Sequence, residues 1–139
     1  MASLLDTNVL SELRKGARCH PGVRRWLESQ EDESLFVSVL ALAEIRDGIE
    51  RLHPRDPRQA ARLEIWLLDT QVHYGSRVLP VTSSIADRWG RLYLPQALPD
   101  FDRLIAATAI DHGLDLVTHN IDDFARSGVT VVNPWAAGA

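Results

Sequence analysis

The chain has 139 residues, of which 45% are hydrophobic and 24% charged, as expected of one soluble globular domain over 1–139 whose core needs no disulfide or metal staple. Its single cysteine, Cys19, excludes an internal disulfide and a Cys-based zinc site and points to a reducing, cytoplasmic compartment. No apolar run approaches the roughly 20 residues of a membrane span, and structure begins almost at once, in Ser3-Leu4-Leu5, leaving no room for a signal peptide. The net charge of −4 argues mildly against a surface built broadly for phosphate. The positive charge is nearly all arginine, with Lys15 the only lysine, a bias that carries no functional weight by itself.

Ala2 to Leu5 is an apolar run long enough for a strand but not a helix, and Asp6-Thr7-Asn8 supplies N-cap chemistry for a short helix to about Leu13. Pro21 opens a second helix to about Gln30, with Val23, Trp26 and Leu27 inward. Leu35 to Ser38 reads as a buried strand and Val39 to Leu52 as a helix, stopped at the His53-Pro54-Arg55-Asp56-Pro57 turn cluster. A helix from about Arg58 to His73 follows, then a strand over Arg77–Val81 and a helix from Ser83 to Leu92 or beyond. Pro95 and Pro99 frame a loop. Phe101 to His112 is a helix closed by Gly113. Asp115–Thr118 is a strand, Ile121–Arg126 a short helix ended by Gly128, and Val129–Val132 a last strand. Continuous apolar strands alternating with helices imply an α/β fold, a parallel sheet covered on both faces. Ligands then bind beyond the carboxyl ends of the strands, which singles out Asp6 after the first strand and His119 and Asn120 after the fourth.

Three carboxylates sit on small, apolar helical faces. Glu44 shares its face with Val37, Leu40, Ala41 and Gly48, while Leu42, Ile45, Ile49 and Leu52 form the stripe expected to meet the core. A slight roll of that helix would instead bring Glu44 to solvent. Asp102 heads a face of Ile105, Ala106, Ala109 and Gly113. An acid in a first helical turn is favoured by the unpaired N–H groups alone, which covers both Asp102 and Asp6. Three such acids at strand ends or helix starts of one parallel-sheet fold nevertheless suggest a shared locus. Mg²⁺ explains it: the ion prefers hard oxygen ligands, whereas acids converging without a cation repel and hold protons. The five histidines show no paired metal-ligand spacing, and no Gly-rich phosphate loop, nucleophile elbow or Cys–His pair is present.

In chain order these residues resemble the four motifs of the PIN-domain nucleases. Leu4 to Leu13 is similar to the first, Val39–Gly48 around Ala43-Glu44 to the second, Asp102 to Ala109 to the third, and Leu116 to Phe124 to the fourth. Val132-Asn133-Pro134-Trp135 also recurs in VapC-like toxins of the FitB type. The resemblance covers essentially the whole chain. It implies a three-layer α/β/α fold and an endoribonuclease that is the toxin of a toxin–antitoxin pair, with a VapB-type antitoxin, an RNA substrate and a homodimer. It also implies that Asp6, Glu44 and Asp102 hold Mg²⁺, with Mn²⁺ as alternative, and that Asp123 is the fourth acid, since position 120 is Asn. Thr118 and Asn8 fit groups that position acids, His119 replaces an arginine common in the family, and Arg46 and Arg103 are candidates to rim the site. Two other readings are a non-catalytic PIN-like subunit serving a DNA-binding antitoxin and a phosphatase of the aspartyl-phosphate type. The latter wants a second acid where the chain has Asn8 and a later lysine where Lys15 lies in the wrong region.

Overall fold

The computed structural model describes residues 2–92 and 98–136. Five strands, β1 (Ser3–Leu5), β2 (Leu35–Ser38), β3 (Val78–Leu79), β4 (Asp115–Val117) and β5 (Val131–Val132), form one sheet in the order β3-β2-β1-β4-β5. Every pairing is parallel. The helices are α1 (Thr7–Leu13), α2 (Pro21–Glu28), α3 (Val39–Leu52), α4 (Pro57–Tyr74), α5 (Ser83–Arg91), α6 (Asp100–His112) and α7 (Ile121–Phe124).

The side-chain alternation of the central strands sorts the core into two layers. Leu5, Val37 and Val117 pack with Val9, Ala41, Ile45 and Leu67, the layer of the early helices. Leu4 and Leu116 pack with Ile105, Ala106, Ala109 and Phe124, the layer of the late helices. The sheet is therefore sandwiched, an α/β/α arrangement. Of the expected α3 stripe, Leu42, Ile45 and Ile49 are buried and Leu52, in the last turn, is half-buried. Trp26 and Trp66 lie half-buried, packed against the first layer.

Several boundaries differ from the sequence reading for identifiable reasons. Arg77 does not start β3. It ends a 3-10 turn, and its guanidinium donates to the Asp32 and Leu35 carbonyls at 2.6 and 2.8 Å, bracketing the start of β2. Beyond Leu79 no further residue of the run to Val81 pairs. The short helix α7 stops at Phe124, because Ser127 turns back to the Phe124 carbonyl through both its N–H and its hydroxyl. Gly128 follows at φ +83°, so the last strand is reduced to Val131–Val132. Pro99 stands immediately before α6 as its N-cap, whereas Pro95 and any extension of α5 past Leu92 fall outside the described residues. No helix among the described residues is long and apolar enough to cross a membrane.

Candidate active site

The chain runs from β1 outward to β2 and β3, then crosses back to β4 on the other flank of β1. The reversal opens a crevice at the carboxyl ends of β1 and β4. Leu5 and Val117 are in register there, and the Asp6 N–H donates to the Val117 carbonyl at 2.9 Å. This places Asp6 and the Thr118-His119-Asn120 segment side by side.

Asp6 is only 4% exposed. Its Oδ1 accepts the Thr7 N–H at 2.8 Å as the N-cap of α1, and its Oδ2 accepts the Thr118 hydroxyl at 2.8 Å and the Asn8 amide at 3.3 Å. Burial pushes its carboxyl above the usual range, against the lowering effect of these three donors. Thr118, fully buried, is a hub: its oxygen also accepts the Asn8 amide at 3.2 Å and the Asn120 N–H at 3.1 Å. Asn8 thus serves as a donor to Asp6 and occupies the position that a phosphatase would give to a second acid.

Glu44 stands half-buried on α3, its Oε1 accepting the Thr7 hydroxyl at 2.9 Å. Burial raises its pKa and the charge of Asp6 adds to that. Asp102, in the first turn of α6, is pushed up to about 6 by burial and then by repulsion from Asp6, Glu44 and Asp123. Asp102 on α6 therefore feels the charge of the other three candidate acids, at the start of α1, on α3 and on α7. Asp123 is exposed, at the rim of an open cleft lined by His119, Asn120, Ile121, Asp122 and Asn133.

Among the described residues, no ion pair reaches Asp6, Glu44, Asp102 or Asp123. The two arginines expected to rim the site are engaged elsewhere. Arg46 pairs with Glu64 through both guanidinium nitrogens and with Glu50. Arg103 stacks on Trp89 at 4.2 Å and donates to Asp100 and to the Leu92 carbonyl. A converging, partly desolvated set of carboxylates without a cationic partner suits a hard divalent cation. Among the described residues, no group of three or more His, Cys, Asp or Glu side chains stands close enough together to hold a metal ion as placed.

Sequence reasoning anticipated Thr118 and Asn8 but assigned nothing to Thr7, whose hydroxyl ties Glu44 to the first motif. Cys19 is buried, and His20 is the N-cap of α2, its Nδ1 accepting the Gly22 N–H at 3.1 Å.

Residues 3–129 match the model of the PIN domain, and the chain belongs to that family. It is 34% identical over 140 residues to VapC ribonuclease Y4jK of Sinorhizobium fredii, covering 95% of this chain and 96% of that protein. It is 32% identical over 141 residues to toxin FitB of Neisseria gonorrhoeae, covering 95% of this chain and 97% of the relative. Among solved structures it is similar to FitAcB from Neisseria gonorrhoeae, with a TM-score of 0.75 and 28% identity over 96% of this chain and 98% of that one.

Proposed function

We propose that this chain is the toxin of a toxin–antitoxin pair, a Mg²⁺-dependent endoribonuclease that hydrolyses RNA phosphodiesters. The observation that carries the reading is the unpaired acid cluster at the β1–β4 crevice. A cluster this costly to assemble needs a cation, and a cation there meets a phosphodiester. Kinship with proteins named ribonuclease and toxin supports the same assignment.

In this reading Asp6, Glu44 and Asp102 hold Mg²⁺ or Mn²⁺, and Asp123 completes the acidic rim. When bound, the ion supplies Lewis-acid activation of water and neutralises charge at the phosphodiester. The protein's part is positioning. Thr118 and Asn8 fix the Asp6 Oδ2, the Thr7 N–H fixes Oδ1, and the Thr7 hydroxyl holds Glu44 toward Asp6. Water as nucleophile, with the 3′-oxygen as the leaving group that takes up a proton, gives a 5′-phosphate and a 3′-hydroxyl and makes no use of the RNA 2′-hydroxyl. Cleavage is expected with Mg²⁺ or Mn²⁺, weakly with Ca²⁺, and not in excess EDTA. Undiminished cleavage by nuclease-free protein in EDTA would refute the metal assignment.

The toxin role calls for a VapB-type antitoxin, which inserts a basic side chain among the unpaired acids. It also calls for a homodimer. The exposed apolar row Ile65, Leu68 and Val72 on α4, 62%, 52% and 83% accessible, supports contact with another chain. Light scattering of the purified protein is expected to give twice the monomer mass, and a monomer at high micromolar concentration counts against the dimer.

A further inference from the structure

His119 and Trp135 form a feature of the cleft that the acids do not use. Their rings are stacked, with centroids 4.4 Å apart and planes inclined by 15°. Each partner is held from behind. The His119 N–H donates to Asn8 Oδ1 at 3.1 Å, and the Asn8 amide reaches Asp6, so the histidine backbone is tied through one side chain to the buried carboxylate. The Trp135 N–H donates to Asn133 Oδ1 at 3.0 Å. The tail carrying Trp135 lies against α2 at backbone distance: a Cβ on Gly22 would stand 2.7 Å from the Pro134 carbonyl oxygen. The indole itself packs on the first core layer, with the His20 ring tilted beside it at 6.5 Å.

The result is a rigid indole carrying an exposed imidazole. His119 lines the cleft together with Asn120, Asp122, Asp123 and Asn133. Among the described residues its ring nitrogens have no hydrogen-bond partner, so the ring serves no internal polar network. Asp122 and Asp123 flank it, which opposes a phosphate at that spot and leaves the flat apolar face of a base as the complementary surface. Every base offers a π-face, and an aromatic already stacked and anchored loses little freedom on receiving one.

We propose that the His119–Trp135 stack is a nucleobase platform: a base adjoining the scissile phosphate of the RNA lies on the outer face of the His119 imidazole, with Trp135 as its backing. The inference rests on the endoribonuclease reading above. It makes His119 a substrate-binding residue and Trp135 and Gly22 positioning residues. It also requires that the base be unpaired, because a base inside a duplex has no free face.

The test measures cleavage of a random-sequence single-stranded RNA pool with Mg²⁺, followed by steady-state kinetics on the best-cut RNA. His119→Ala should raise KM by about 5- to 150-fold, the range of one lost base stack, with kcat little changed. His119→Phe should restore KM, because it keeps the ring, and Trp135→Ala should follow His119→Ala. A second readout uses the Asp6→Asn protein, which is expected to bind without cutting, and the same RNA with 2-aminopurine beside the cleavage point. Binding should quench the 2-aminopurine, and adding His119→Ala should remove the quench while thermal unfolding stays unchanged. Wild-type KM and an unaltered quench in His119→Ala would overturn the platform, as would a loss that His119→Phe fails to restore. A wild-type protein that cuts no RNA with Mg²⁺ would instead overturn the endoribonuclease reading beneath it.

Discussion

Asp6→Asn is expected to abolish RNA cleavage, by about 10²–10³-fold or more, on the scale of removing one electrostatic element of an active site, while leaving a folded protein. The comparison separates a metal ligand from a helix cap, since asparagine caps about as well as aspartate. The geometry refines the stability side. Asn in place of Asp6 keeps an acceptor for the Thr7 N–H, but its new amide group faces the Asn8 amide and the Thr118 oxygen, whose two lone pairs already accept from Asn8 and Asn120. These mismatches, about 1 kcal/mol each, are offset by removing a buried charge among like charges, whose pKa is already raised by burial. The metal-free melting temperatures should therefore agree within a few degrees. Mg²⁺ should raise the wild-type value more than the variant's, because a ligand stabilises only the fold that binds it. Near wild-type cleavage by Asp6→Asn would leave Asp6 as a cap and remove the acid-cluster mechanism.

Thr118→Val should damage stability and activity together. Valine matches the shape of threonine but deletes the buried oxygen on which three contacts converge: Asp6 Oδ2 loses a donor, and the Asn8 amide and the Asn120 N–H lose an acceptor. A hydrogen bond to an ionised group contributes about 1.5–3 kcal/mol, and no water replaces it easily at a fully buried position. For a domain of this size the melting temperature should fall by on the order of 10 °C. With Asp6 Oδ2 released, Mg²⁺ affinity and cleavage should each drop by about 10–100-fold, the usual effect of removing an outer partner of a metal ligand. Thr118→Ser retains the hydroxyl and should recover most of both. A Thr118→Val protein with unchanged melting temperature and cleavage would show that the hub does not organise the site.

Much of the site was legible because its chemistry lies in local patterns. Asp6 directly follows an apolar strand, Glu44 interrupts an apolar helical face, and Asp102 heads another. Each is odd by its neighbours alone, and Asp102 feels the charge of Asp6, Glu44 and the less conspicuous Asp123. The arginines show the limit. Arg46 and Arg103 stand two and one residues from acids of the cluster, yet Arg46 reaches across to Glu64 on α4, 18 residues away, and Arg103 folds back over Trp89. Sequence proximity carries no information on which way a long side chain turns. Trp135, in the tail, shows the same limit: it packs on the first core layer and also stacks on His119, which nothing local in the chain foretells.

The amino-acid sequence by itself determined the alternation of strands and helices and the parallel sheet. Period, capping residues and Gly113 act within a few residues of the chain, and the structure follows them almost throughout. The tertiary structure alone decided contacts made across long separations. The Thr118–Asp6 bond spans 112 residues and the Thr7–Glu44 bond 37. It also decided where Arg77 ends a turn, how short β5 is, and that His119 rests on Trp135. The physical reason is that propensity and periodicity are properties of neighbours along the chain. Hydrogen-bond geometry and ring stacking depend on ångström-scale positions that only the packed sheet and its two helical layers supply.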